Sequence, residues 1–447
     1  MRNAGGHNKE MPTYYVRTFG CQMNEHDSER ISGMLESEGY TRAEGPDDAD
    51  LVVLNTCAIR ENADMRLYGT LGELKRAKER RPELRIAVGG CLVQKDKHLV
   101  LSKAPWVDAA FGTFAVGELP RLLALRERTG VPAFEFREQT EVFPSALPAR
   151  RADRFHAWVA VSVGCDNACT FCIVPSVRGP QVSRRMGEIL DEVRTLVGDG
   201  VVEVTLLGQN VNSYGHDLDE RPMFAELLRA LDDVEGLRRV RFTSPHPHDF
   251  TPDVVEAMAS SRVVCEHIHF PMQSGSDDVL RRMRRSYRIE RYLGWLERIR
   301  EAIPGIAVTT DIIVGFPGET DEDFDATLRA VERARFDSAF TFQYSVRPGT
   351  AAASMDGQVD PAVVGERFRR LVNAQERIAL ERNHETIGRR VEVLVESTSS
   401  KKDASRATAR TRTNKLVHVE APGCLPGDFL NVVVTGAHPH HLDGVPA

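Results

Sequence analysis

Three cysteines share one short stretch, "VSVGCDNACTFCIVPSVRG", residues 161 to 179. Cys165, Cys169 and Cys172 make a C-x3-C-x2-C run. Thiolates of this kind bind zinc or an iron–sulfur cluster, and a closed site of either sort takes four ligands. No fourth cysteine lies near. The nearest histidine, His156, is upstream on a predicted strand. With three ligands one iron keeps an open position, which is where a substrate or cofactor binds. A structural zinc loop is the bland alternative. Gly164 and the short side chains of Asn167 and Ala168 let the backbone wrap closely. Phe171 is placed to keep water away, and burial tunes a cluster's potential.

Three more cysteines repeat the arithmetic over a longer range. Cys21, Cys57 and Cys91 each close an apolar run, in "TFGCQMN", "LNTCAIRENA" and "VGGCLVQ". If those runs are parallel strands of one sheet, their C-terminal ends lie side by side, where α/β sheets bind ligands. Three thiolates then converge on one cluster, again with one iron open. The competing reading is three small buried apolar side chains. Cys265 and Cys424 lack such context and read as structural.

The elements that must position these groups fall into four stretches. Residues 12 to 128 alternate strand-like runs ("TYYVRTFGC", "ADLVVLNTC", "LRIAVGGC") with helix-compatible segments, the rhythm of a doubly wound α/β sheet. Residues 129 to 150 hold three prolines and no periodicity, and read as a linker. From 151 to about 350 six β-then-α units follow, enough for a partial parallel barrel. Such barrels work at the C-terminal ends of their strands. The first strand, "AWVAVSV", runs straight into the three-cysteine loop. A long amphipathic helix trails it, with Val364, Phe368, Leu371 and Ile378 on one face. From 387 to 446 three short strands suggest a small β-barrel.

The chain has 447 residues, 41% of them apolar and 28% charged, so it is globular with room for two to four domains. Its net charge of −7 argues against wholesale coating of nucleic acid, not against a local basic patch. The N-terminus has no apolar signal region, and no run of apolar residues is long enough to span a membrane. A cytoplasmic, monomeric protein with reduced thiols is expected. "SKKDASRATARTRTNK", residues 400 to 415, carries six Lys or Arg against one Asp. It reads as a loop contacting nucleic acid in preference to a solvated loop. "RRMRRSYR", residues 281 to 288, reads equally as a phosphate contact or a solvated helix face. The histidines of "SPHPHDF" suit a positioning role at a strand end, and "AHPHH" reads as part of a tail.

The C-x3-C-x2-C run opening a βα repeat resembles the radical S-adenosylmethionine superfamily. "TFGCQMNEHDSE", "NTCAIRENA", "GGCLVQ", "TSPHP", "HFPMQSGSDDVLRRMRRSY" and "TDIIVGFPGETDEDF" resemble the methylthiotransferases within it. The last stretch resembles their TRAM domain, a small RNA-binding β-barrel. The resemblance spans residues ~12 to 445 at ordinary domain sizes. It implies two [4Fe–4S] clusters with three cysteine ligands each. Cys165, Cys169 and Cys172 would hold the radical-generating one, and Cys21, Cys57 and Cys91 the auxiliary one. S-adenosylmethionine would occupy the open iron.

Further cofactor contacts are expected at strand ends: Gly208, Gln209 and Asn210 after the second strand, Gln273 and Ser274 after the fourth, Asp311 in the fifth. Arg288 could meet a carboxylate in bidentate fashion. The residues after Cys21 and around Cys57 (Thr56 to Glu61) resemble the branch acting on N6-dimethylallyladenosine at position 37 of tRNA. The implied reaction puts a methylthio group on C2 of that base, with tRNA, an electron donor and a sulfur source as partners. Rivals are methylthiolation of threonylcarbamoyladenosine tRNA or a ribosomal protein, a non-enzymatic iron–sulfur carrier, and an RNA-binding module with structural clusters.

Overall fold

Three strands of six or seven residues form the middle of the N-terminal sheet, and strands of two or three residues flank them. A computed structural model describes residues 11–58, 63–138, 147–399 and 406–447. Two compact units are present, Met1–Ala152 with Ile173–Pro180, and Asp153–Cys172 with Gln181–Ala447.

The first unit is a parallel sheet of β1 (Thr13–Phe19), β2 (Thr41–Arg42), β3 (Leu51–Thr56), β4 (Arg85–Gly90), β5 (Ala109–Phe111) and β6 (Ala133–Glu135), in the order β2-β1-β3-β4-β5-β6. Successive side chains of a strand point to opposite faces. Leu51 and Val53 therefore join a core with Ile31, Leu35 and Leu122. Val52 and Leu54 join a second core with Leu67, Leu71 and Val88. Both faces are covered by helices, as a parallel sheet requires. The edge strand β6 lies inside the stretch read as linker. Only three residues long, it shows no periodicity, yet it pairs with β5 along its length. The second departure is the segment Ile173–Pro180. It follows the three-cysteine loop in sequence but packs with the first unit, where Ile173 and Val177 bury against Cys91.

The second unit begins with β7 (His156–Ala160). A small antiparallel pair, β8 (Ser162–Val163) with β9 (Val182–Ser183), brackets the three-cysteine loop and the segment after it. Five more strands continue the β7 sheet: β10 (Glu203–Leu207), β11 (Arg239–Phe242), β12 (His267–His269), β13 (Ala307–Val314) and β14 (Ser338–Gln343). Parallel pairs run β7-β10-β11 and β12-β13-β14, and a parallel bridge from Val240 to Val264 links the two halves. The six strands thus form an open parallel barrel in chain order. Its outer face packs under helices through Val159, Val204, Val240, Ile268 and Val308. The helix Pro361–His384 follows, with Val364, Leu371 and Ile378 buried and Phe368 partly so.

The last sixty residues close on themselves as a barrel of β15 (Arg390–Ser397), β16 (Ala407–Thr411), β17 (Leu416–Val419), β18 (Phe429–Ala437) and β19 (Leu442–Pro446), in the order β15-β16-β17-β19-β18. Two of these strands correct the sequence reading. β16 lies in the basic run read as a loop. Residues 400–405 of that run, with Lys401 and Lys402, lie outside the described residues. Its four described cations are tied down: Arg406 pairs with Asp443 at 2.8 Å, Arg410 with Glu396, Arg412 with Glu266 at 2.8 Å, and Lys415 with Asp337 at 2.7 Å. The backbone is held as well, because Arg239 and Arg241 of β11 donate to the carbonyls of Arg410, Thr411 and Arg412. β19 occupies the stretch read as tail, with His438 and His441 at its entrance. Cys424 packs partly buried against this barrel and Cys265 is buried beside β12. No helix among the described residues is long and apolar enough to cross a membrane.

Candidate functional site

In the first unit the strand register decides where the cysteines fall. Phe19 pairs with Thr56, and Thr56 with Gly90. Cys57 and Cys91 are the next residues after that row, and Cys21 is two beyond it. Neighbouring strands are about 4.8 Å apart, so three thiols emerge from one sheet edge. Gly90 makes this possible. Its φ is 98°, and a Cβ there would meet the Thr56 carbonyl at 2.4 Å. Cys21 caps the helix Gln22–Ser37 and Cys91 opens the helix Cys91–Asp96. Asn24 is fixed by Asn55 and the Thr56 carbonyl, so the turn carrying Cys21 is locked to β3.

The electrostatics favour thiolates at Cys21. A hydrogen bond from Cys57 pulls its thiol down, against burial, with help from the Arg178 guanidinium and the helix N–H groups. Burial pushes the Cys91 thiol up, and Arg178 opposes it. Arg178 is only 5% exposed and donates to Asp27 at 2.7 Å. Burial works against its charge, yet Asp27 and the two thiols outweigh that and keep it cationic. A buried cation beside two of the three thiols offsets the negative charge a cluster brings, which suits an iron–sulfur site and would be wasted on inert core cysteines. Sequence reasoning passed over Arg178: it is a lone cation among apolar residues, and only the excursion of 173–180 into the first unit gives it a role. Ile59, Arg60 and Glu61 lie outside the described residues.

In the second unit the C-x3-C-x2-C loop leaves the C-terminal end of the first barrel strand. Thr170 pins it, accepting from Ala352 N–H and donating its hydroxyl to the Arg282 carbonyl at 2.9 Å. Phe171 packs with Val279, Met283 and Phe316. The sulfurs receive N–H donors, from Asn167 to Cys165 and from Arg285 to Cys169, each at 3.5 Å. Burial raises the Cys165 thiol, with Asn167 opposing. Both sulfurs thus accept hydrogen bonds, as cluster-ligating sulfurs do, while the Asp166 carboxylate next to Cys165 adds to the rise of its thiol.

Two strand-end residues meet the loop or the strand that feeds it, and the others are held by their own neighbours. Gln209 accepts from the Gly164 N–H at 2.6 Å, which ties the second strand's end to the loop. Gly208 lies so close to Ser162 that a Cβ would come within 2.8 Å of its hydroxyl. Asn210 donates to Asp249 at 2.6 Å. Gln273, at φ 67°, donates its N–H to the Asp311 carbonyl at 2.8 Å, and Ser274 is buried against Thr327. Several buried polar atoms at these ends have no hydrogen-bond partner: Ser162 Oγ, Asn210 Oδ1, His246 Nε2 and Gln273 Oε1. Such atoms cost about 1–3 kcal/mol each when left unpaired, so they point to a polar ligand. S-adenosylmethionine, with its charged amino-acid end and its ribose, fits that demand.

One expected contact is not brought in. Arg288 stands exposed at the N-cap of the helix Ile289–Ala302. The guanidinium that reaches a cysteine belongs to Arg285, part of the run read as phosphate contact or solvated face. Arg284, at φ 53°, turns the chain after the helix Asp277–Arg282, so Arg285 and Tyr287 point inward and bond to each other at 3.1 Å. Burial and the nearby Arg285 hold His246 neutral, down to about 2. A third ligand-like group, His438, His441 and Asp443, sits on the small barrel. There Arg406 already occupies Asp443. The two imidazoles stack face to face at 4.3 Å, so their in-plane lone pairs do not converge on one ion.

A three-thiol loop at the mouth of an open six-strand parallel barrel, with polar strand ends beside it, defines a radical S-adenosylmethionine enzyme. Residues 159–331 match the Radical SAM superfamily, 384–447 the TRAM domain, and 13–112 the uncharacterized protein family UPF0004. A tRNA-2-methylthio-N(6)-dimethylallyladenosine synthase of Frankia alni is 58% identical over 435 residues, covering 96% of this chain and 88% of that one. One of Mycolicibacterium gilvum is 58% identical over 443 residues, covering 96% and 86%. The chain belongs to the family of tRNA-2-methylthio-N(6)-dimethylallyladenosine synthases, the methylthiotransferases of the radical S-adenosylmethionine superfamily. Among solved structures, the radical S-adenosylmethionine methyltransferase TsrM of Kitasatospora setae shares the fold, with a TM-score of 0.56 at 13% identity, covering 76% of this chain and 75% of that one. OxsB, a cobalamin-dependent S-adenosylmethionine radical enzyme, does so with 0.51 at 12%, covering 83% and 56%.

Proposed function

We propose that this chain places a methylthio group on C2 of N6-dimethylallyladenosine at position 37 of tRNA, giving 2-methylthio-N6-dimethylallyladenosine. The observation that carries the reading is the pair of three-thiol sets, each one ligand short of closure. Cys165, Cys169 and Cys172 hold one [4Fe–4S] cluster and Cys21, Cys57 and Cys91 the other. When bound, the clusters and S-adenosylmethionine supply a carbon-centred radical that removes the C2 hydrogen and a methylated sulfur that replaces it. An adenine C2–H is neither acidic nor electrophilic enough for acid–base catalysis by side chains, which is why the chain's own residues bind and orient instead. Asn210 and Gln273 offer carbonyl oxygens to the cofactor, and neutral His246, whose Nδ1 accepts the His248 N–H, offers an Nε2–H donor. Phe171 keeps water from the loop. Arg178 and Arg285 donate to and neutralise the thiolates, each at its own cysteine set. An electron donor and a sulfur source complete the stoichiometry.

Nucleoside mass spectrometry tests this. Protein reconstituted without oxygen is given tRNA carrying dimethylallyladenosine, S-adenosylmethionine, reductant and sulfide. The expected result is a methylthio product that requires all six cysteines. Formation of 5′-deoxyadenosine with the base unchanged would leave the radical chemistry standing and refute the substrate. Product from threonylcarbamoyladenosine tRNA or a ribosomal protein instead would move the chain to another branch of the family.

A further inference from the structure

The last strand of the open barrel carries two aromatic side chains in an unusual setting. Phe340 and Phe342 of β14 are 61% and 46% exposed. They are alternate residues, so they share one face. Ala339, on the opposite face, packs against the barrel's outer core. Register fixes what lies beside the two rings: Phe340 pairs with Asp311 and Phe342 with Ile313. On β13 the core under the helices takes Val308, Ile312 and Val314, so Asp311 and Ile313 line the barrel interior. The two phenyl rings therefore line the interior too.

Polar groups stand next to them. The His269 ring of β12 meets Phe340 edge-on, with centroids 5.9 Å apart. Its Nε2 lies 3.4 Å from an Asp311 carboxylate oxygen, and its Nδ1 is 3.0 Å from the Thr309 hydroxyl. Beyond the strand Val346 is also 53% exposed. Burying a phenyl ring is worth about 1.5–3 kcal/mol. Two rings left bare inside a barrel, beside a donor–acceptor pair, form a wall for an occupant with flat apolar faces and a polar edge.

We propose that Phe340 and Phe342 are the stacking platform for the splayed-out base of the tRNA, an N6-dimethylallyladenine, with Asp311 and His269 facing its polar edge. This rests on the reading of the substrate given above. Single-stranded RNA bases are ordinarily held by aromatic stacking and by hydrogen bonds to their edges, and an enzyme that modifies a base takes it out of its stack. The prenyl tail adds apolar area that two rings and Val346 can cover. S-adenosylmethionine also carries an adenine. Its charged and polar body instead suits the unpaired atoms of Asn210, His246 and Gln273, so this face is assigned to the tRNA base.

The test uses full-length, fully clustered protein and the double variant F340A/F342A. Exposed rings contribute little to folding, so the variant is expected to fold and to bind iron as the wild type does. Stacking one base on an aromatic ring is worth about 10- to 100-fold in binding. The kcat/KM for dimethylallyladenosine tRNA should fall by that order. The Kd for S-adenosylmethionine, and 5′-deoxyadenosine formation without tRNA, should stay within about twofold. In parallel, anticodon stem-loop RNAs with dimethylallyladenosine or plain adenosine are titrated. The wild type should prefer the prenylated RNA, F340A/F342A should lose that preference, and F340W should retain it. Weaker S-adenosylmethionine binding with intact RNA preference would give the face to the cofactor and overturn the proposal. Unchanged kcat/KM and RNA preference would overturn it as well. If wild-type protein makes no methylthio product, the substrate reading fails, and the stem-loop titration still decides whether these rings hold a base.

Discussion

The two cysteine sets make the same offer by opposite means. One is a loop: Cys165, Cys169 and Cys172 lie within eight residues of chain, and the loop is pinned by Thr170 and Gln209. The other is a sheet edge: Cys21, Cys57 and Cys91 are spread over 71 residues and meet because Phe19, Thr56 and Gly90 share a row. A loop site is specified locally. A sheet-edge site exists only when the strand order β1-β3-β4 has formed, so its ligand geometry and the stability of its unit are one property. The difference extends to the cations. Arg285 donates to Cys169 and to a tyrosine hydroxyl, whereas Arg178 is locked to the buried carboxylate of Asp27.

The comparison is broken most severely by removing one ligand from each set. Cys172→Ala should abolish 5′-deoxyadenosine formation together with the methylthio product. Cys91→Ala should abolish the product and leave 5′-deoxyadenosine formation within a few fold of wild type. Anaerobic turnover followed by chromatography reads both.

Next come the two arginines. Arg178→Ala leaves the buried Asp27 carboxylate with only the His26 ring beside it, 3.7 Å away, and breaking such a buried pair costs about 3–5 kcal/mol. Arg285→Ala leaves a tyrosine hydroxyl that still bonds to the Pro271 and Met272 carbonyls, and costs about 1–2 kcal/mol. Denaturant unfolding of the two variants should therefore differ in midpoint, with Arg178→Ala the lower. In the same range as Arg285→Ala, Gly90→Ala forces a non-glycine residue to φ 98° and a Cβ against the Thr56 carbonyl, about 1–3 kcal/mol with loss of iron from the sheet-edge set only. Iron per protein should fall by about half, the complement of one cluster in two. The least effect is expected from Arg410→Ala on the small barrel. Its ion pair with Glu396 is partly exposed and worth about 0–1 kcal/mol. Because Arg410 is already paired, tRNA affinity should change by less than about twofold, the scale of a surface ion pair. A drop of tenfold would show that Arg410 contacts RNA.

Much of this was legible in the sequence where periodicity or local spacing carried it. The β-then-α rhythm gave both α/β regions, and the cysteines fell at strand ends as expected. What escaped was short or nonlocal. β6 and β19 offer only three and five residues to a period of two. β16 does alternate, with Ala407, Ala409 and Thr411 buried and Arg410 outward, but its buried residues are small and its charges read as loop. Arg178 is buried and Arg285 half-buried, and the roles of both depend on where the backbone turns, at Gly179 and Arg284; the Gly179-Pro180 pair marks a turn but not the unit it leads into. Arg288, expected as a cofactor contact for its charge, is exposed at the N-cap of its helix and shows no contact with the cysteine loop.

The most direct measurement compares two triple variants, C165A/C169A/C172A and C21A/C57A/C91A, reconstituted in parallel and assayed for iron, 5′-deoxyadenosine and methylthio product. Two independent three-thiol sites with separate roles require that each variant keep about half the iron, since each set holds one of two clusters. Only the second should still form 5′-deoxyadenosine, and neither should form product. If the C21A/C57A/C91A protein keeps the full iron complement and still makes methylthio product, the sheet-edge cysteines are core residues and the account of two sites is wrong.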